Sequence, residues 1–121
     1  MEFQHANLDY LWEMSGGNTK VIKEMIDIYT SEIPRYIERM HQYLESGNLE
    51  ALGRLAHKAK ASALIMGAGQ IAENLRQLEK LAGEGHHHIS YREYVETITG
   101  QFELSVGELK KFAESLQDRP E

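Results

Sequence analysis

The sequence has 121 residues, one domain's worth, with 41% hydrophobic residues to build a core. Acidic residues exceed basic ones by 19 to 13, and the net charge of -6 argues against nucleic acid or an anionic membrane surface as the main partner. No cysteine is present for disulfides, thiol nucleophiles or Cys-based metal sites, no apolar run reaches the roughly 20 residues that span a bilayer, and the opening MEFQHANLDY lacks the features of a secretory signal, so a cytoplasmic home is expected.

The spacing predicts a short first helix over 8–14, ended by Ser15-Gly16-Gly17-Asn18. A long helix over about 19–45 follows, with Ile22, Met25, Ile26, Tyr29, Ile33, Tyr36, Ile37, Met40 and Leu44 inward. Pro34 falls inside it and is expected to kink it or remove one backbone bond. After the Ser46-Gly47-Asn48 turn, a third helix runs from Leu49 to Met66 or a little beyond. Its apolar set is Leu52, Leu55, Ala56, Ala59, Ala63 and Met66.

Gly67-Ala68-Gly69 separates this from a shorter helix with Ile71, Ala72, Leu75, Leu78 and Leu81 on one face. Residues 83–88, with His86, His87 and His88, read as an exposed loop. The last helix is expected over about 91–116, and residues 118–121 as a frayed tail. No strand alternation or internal repeat occurs. These elements predict an all-α fold, an antiparallel four-helix bundle with the short first helix capping one end, as a single domain over 1–121.

His57 stands apart on the third helix. Advancing about 100° per residue from Leu52, the apolar set stays within about 60° of it, whereas His57 lies at about 140°. His57 is therefore expected to face solvent. Gly53, Lys60, Ala61, Leu64 and Gly67 share or border its face. A glycine inside a helix costs about 1 kcal/mol relative to alanine. A structural helix gains nothing obvious from the pair, whereas a helix that another molecule must approach gains access. Leu64 is expected to be an exposed apolar residue of a docking patch.

A neutral imidazole can attack phosphorus, and Lys60, one turn on, could meet the phosphoryl oxygens. Lys58 points further round on a long stem. On these residues alone, a phosphoryl acceptor and a plain surface histidine beside lysines are both open.

Leu55-Ala56-His57-Lys58-Ala59-Lys60-Ala61-Ser62-Ala63 with Met66-Gly67-Ala68 resembles the signature of histidine-containing phosphotransfer (HPt) domains. The segment 11–17 and Glu32-Ile33-Pro34 also resemble that family's opening helices. The resemblance implies a helical bundle in which His57 exchanges phosphoryl groups with aspartates of response-regulator receiver domains, possible partners including one in a hybrid sensor kinase. By it His57 accepts through its outer ring nitrogen and Lys60 steadies the charge. Gly67 would leave room for the receiver, with Ser62 and Lys58 secondary. The receiver would bring Mg2+, so the chain is expected to need no cofactor or metal of its own. It would be a phosphocarrier, either stand-alone or a module of a larger sensor protein, and a monomer, with no ATP-binding kinase segment.

Two positions depart from that pattern. Ala61 stands where many members have glycine. Where some place a glutamine on the next helix to orient the histidine, spacing gives Glu79, whose charge is expected to repel a phosphoryl group, leaving that task to another residue, such as Gln77, or to none. The runner-up function is a helical adaptor that binds receivers or other partners without accepting phosphate. A third reading, metal binding at His86, His87 and His88, lacks a preformed geometry and further ligands. His41 and His5 carry no motif. Trp12 and the tyrosines are expected to pack between helices.

Overall fold

The computed structural model describes residues 8–85 and 90–117, so His5, the loop residues His86, His87 and His88, and the tail 118–121 lie outside the described residues. Five helices follow in order: α1 Leu8–Met14, α2 Thr19–Ser46, α3 Leu49–Ile65, α4 Gly69–Gly83 and α5 Tyr91–Gln117. No strand occurs among the described residues. The all-helical class predicted from periodicity is observed.

Local chemistry sets the helix limits. The Asn18 side-chain oxygen accepts from the backbone N–H groups of Lys20 (3.0 Å) and Val21 (3.2 Å), satisfying two of the donors left free at the start of α2. Asn48 does the same for α3 through the Ala51 N–H at 3.1 Å. α2 continues through Pro34, which lies on its exposed side, so the bond that proline removes falls where water can replace it.

α2 packs on α3 and α5, and α4 packs on the same two helices, so α2–α3–α4–α5 close into a ring. Every helix supplies the core: Leu11 from α1, Ile22, Ile26, Ile33 and Met40 from α2, Leu52, Ala56, Ala59 and Ala63 from α3, Ile71, Leu75 and Leu78 from α4, and Val95, Ile98, Phe102 and Leu109 from α5. Each large aliphatic residue so buried contributes about 1.5–3 kcal/mol relative to exposure.

Each neighbouring pair in the ring also shares a polar tie. Ser62 donates to Glu32 Oε2 at 3.1 Å between α3 and α2, and Asn74 donates to Gln101 Oε1 at 2.8 Å between α4 and α5. The buried hydroxyls of Tyr29 and Ser105 are 2.7 Å apart between α2 and α5. The α3–α4 tie involves His57 and is described below.

Of the aromatic residues expected between helices, Tyr29, Tyr36 and Tyr91 are buried. Tyr10 and Trp12 are exposed, and the Trp12 indole lies over Gly17, where a Cβ would come within 3.3 Å of its Nε1. α1 offers only seven residues, and Leu11 alone of its described side chains enters the core. No helix among the described residues is long and apolar enough to cross a membrane.

Candidate functional site at the α3–α4 seam

α3 has a neighbour on each flank, α2 on one side and α4 on the other, and a free outer face between them. His57 stands on that face with 69% of its side chain accessible, as its helical angle predicts. Lys58, Ala61 and Leu64 are exposed alongside it, Leu64 to 50%.

Gly53 is not on the open face. It is buried against α4, where an added Cβ would sit 3.3 Å from Ala82 Cβ and 3.7 Å from the Glu79 carbonyl oxygen. The expectation that Gly53 opens the helix to a partner is corrected: the missing side chain lets α4 come close to α3. Glycine at 53 is therefore a packing residue, which explains the propensity cost that the sequence left unassigned.

Close approach brings Glu79 of α4 to His57. Glu79 Oε2 is 2.7 Å and Oε1 3.1 Å from His57 Nδ1, and Lys60 Nζ donates to Oε1 at 3.4 Å. His57, Lys60 and Glu79 thus form one cluster, and His57 and Glu79 line a shallow depression together with Gly53, Arg54 and Gly83. Burial pushes the Glu79 carboxyl upward, but the hydrogen bonds and positive charge of His57 and Lys60 outweigh it and hold the group below the usual carboxylate range. Glu79 is ionised at neutral pH.

An ionised carboxylate can only accept, so Nδ1 must carry the hydrogen. In a neutral ring Nε2 is then the unprotonated nitrogen, with its lone pair free. Glu79 therefore selects the tautomer that exposes a nucleophile. Gln77 is turned elsewhere, donating to Glu73 Oε1 at 3.3 Å, and does not orient His57.

The expectation that Glu79 works against the site is corrected on geometry: its charge is turned toward Nδ1 and Lys60. A signal for it was present in the sequence. Counting about 100° per residue from Leu75, Glu79 lies about 40° away, inside the arc of Ile71, Ala72, Leu75, Leu78 and Ala82. A carboxylate inside an apolar arc needs a partner from a neighbouring helix.

The other predicted residues fall at different places. Ser62 lies on the α2 flank and is engaged with Glu32, which also accepts from the Tyr36 hydroxyl at 3.4 Å. Gly67 has φ +67 and closes α3: its N–H bonds the Leu64 carbonyl at 3.0 Å and the Ala68 N–H bonds that of Ala63 at 2.9 Å. That double closure requires a left-handed residue, which glycine adopts without strain. Between α2 and α3, Met25, Ile28, Ala61 and Ile65 line an apolar groove, with Ile28 and Ile65 exposed. Among the described residues no group of three or more metal-ligating side chains forms.

Comparison with known proteins gives a consistent result. The Hpt domain family matches residues 24–119. The crystal structure of histidine-containing phosphotransfer protein B from Pseudomonas aeruginosa PAO1 is similar in fold, with a TM-score of 0.86 at 19% sequence identity over 94% of this chain and 98% of that one. No curated protein matched the sequence.

Proposed function

The chain belongs to the Hpt domain family, and from that premise we propose that His57 is the residue on which it carries a phosphoryl group. Its role is histidine phosphotransfer in a phosphorelay, a process in which Hpt domains exchange phosphoryl groups with receiver domains. The observation that carries the assignment to His57 is the Glu79 hydrogen bond to Nδ1, which leaves Nε2 unprotonated on an exposed helix face.

In the proposed step Nε2 attacks the phosphorus of a receiver aspartyl phosphate. The N–P bond forms as the O–P bond breaks, and the electron pair of that bond remains on the aspartate carboxylate. Lys60 lies within reach of the transferring oxygens and offsets their charge. Mg2+ belongs to the receiver, and this chain supplies no metal of its own. Lys58, Ala61 and Leu64 form the contact surface round the histidine, and the groove lined by Ile28 and Ile65 extends it with apolar area. Ser62, Gly67 and Gly53 shape that surface from behind.

We further read the ring α2–α3–α4–α5 as an antiparallel four-helix bundle with α1 capping one end. The protein acts as a cytoplasmic monomer, with a hybrid sensor kinase as one source of its receiver partner and no role in nucleic-acid binding.

The deciding experiment offers a receiver domain, charged with a small-molecule phosphodonor, to the wild type and to His57→Gln. Acid-labile, base-stable phosphate is expected on the wild type alone. Labelling of His57→Gln removes the site assignment, and failure of several receivers to label either protein favours an adaptor that binds without accepting phosphate.

A further inference from the structure

We propose that Glu79 acts again after transfer: its carboxylate keeps the proton on Nδ1 of the phosphoryl-bearing His57 ring, and so holds the phosphoryl group in a form that can be passed on. This rests on the reading of His57 as the acceptor.

When the Nε2 lone pair forms the N–P bond, Nδ1 still carries its hydrogen, and the ring becomes a cation. For the group to leave again, the N–P electron pair must return to Nε2 as phosphorus bonds to the next carboxylate. With Nδ1 protonated, the departing group is neutral imidazole. With Nδ1 deprotonated, the departing group is an imidazolate anion, a far poorer leaving group. The Nδ1 proton therefore separates a phosphoryl donor from a phosphoryl trap.

The geometry bears directly on that proton. Glu79 Oε2 lies 2.7 Å from Nδ1 and is ionised. An opposite charge at this distance favours the cationic ring. A neutral amide would accept the same hydrogen bond without the charge, so carboxylate and amide differ in effect at this position.

The other charged groups near the ring do not replace Glu79. Lys60 of α3 opposes it, partly neutralising Oε1 from 3.4 Å. Lys58 is the exposed neighbour of His57, and Arg54, one turn earlier, is engaged by Glu50 at 2.7 Å. From α2, Glu32 is committed to Ser62 and Tyr36 on the far flank.

The test charges the wild type, Glu79→Gln, Glu79→Asp and Lys60→Ala with phosphoramidate, which phosphorylates histidine without a receiver. The His57 ring nitrogens are then followed by nitrogen-15 NMR across pH. Glu79→Gln is expected to lose the Nδ1 proton about one pH unit lower than wild type, Glu79→Asp in between, and Lys60→Ala higher than wild type. Transfer from the charged proteins to a receiver with Mg2+ should be about threefold or more slower for Glu79→Gln at pH 8, with the gap closing by pH 6.

Identical proton loss in wild type and a Glu79→Gln variant shown to be folded by circular dichroism overturns the inference and leaves His57 as the acceptor. If Glu79→Gln does not fold, an unmoved Lys60→Ala titration overturns it instead. Absence of phosphate on wild-type His57 overturns the acceptor reading and this inference with it.

Discussion

At the scale of single residues, His57 and Lys60 share one carboxylate, and their competition for it sets what each can do. Lys60 is three-quarters buried and bonded to Glu79 at 3.4 Å, a long contact that a doubly charged phosphoryl group on Nε2 can draw away. Lys60→Ala is therefore expected to slow single-turnover transfer to His57 about tenfold, equivalent to one charge-assisted hydrogen bond, with helicity unchanged. An unaltered rate removes Lys60 from the mechanism.

His57 and Lys60 were legible because one helix fixes the angle between them. Glu79 was harder to read. It lies 22 residues beyond His57, and the pairing depends on the separation of two helices, which no spacing within either helix encodes.

Among the elements, α3 shows how far a hydrophobic pattern carries. Its predicted span, from Leu49 to Met66 or a little beyond, is observed as Leu49–Ile65, because the apolar stripe, Asn48 and Gly67 act locally and can be read locally. Gly53 was misplaced for a physical reason: a residue without a side chain contributes nothing to a polarity pattern, whichever face it occupies. Its function appears only with α4 beside it.

Gly53→Val is expected to force a branched side chain against Ala82 and lower stability by about 1–3 kcal/mol, read as a shift in denaturation midpoint. Because the same contact brings Glu79 to His57, the variant should also transfer more slowly than its loss of folded protein accounts for. A full transfer rate in the folded fraction would separate Gly53 from the site. Pro34 makes the complementary point, since a proline on the outer side of a 28-residue helix removes one bond without ending the helix.

For the whole molecule, the helix order and the inward residues of α2, α3 and α4 were readable from periodicity, whereas the ring of contacts and its four polar ties were not. The Tyr29–Ser105 tie joins the two longest helices inside the core. Ser105 also donates to the Phe102 carbonyl at 2.7 Å, so the Tyr29 hydroxyl is the donor between the pair. Tyr29→Phe is expected to cost about 1 kcal/mol at neutral pH.

The Tyr29 phenol is pushed up to about 12, by burial above all, with the Glu108 charge adding to the rise. Below pH 10 it is neutral in both folded and unfolded chains. Between about 10 and 12 the unfolded chain releases the proton while the folded one retains it, so stability falls as pH rises, by about 2–3 kcal/mol across that window. Thermal melts from pH 9 to 11 should fall more steeply for the wild type than for Tyr29→Phe, and parallel curves would refute this role.

The two ties that α3 makes also bear on its axial register. Between Leu55 and Met66 the inward stripe of α3 is alanine, with Ala56, Ala59 and Ala63 recurring every three or four residues, so this stretch offers few protrusions to lock against its neighbours. Sliding α3 by one turn, about 5.4 Å, would set alanine against nearly the same surroundings. It would also part Ser62 from Glu32, and His57 and Lys60 from Glu79. Along so smooth a stretch the polar pairs help to choose the notch, and one of those pairs holds His57, the proposed acceptor. The contact proposed to ready His57 for chemistry thus also bears on how far along the bundle His57 stands.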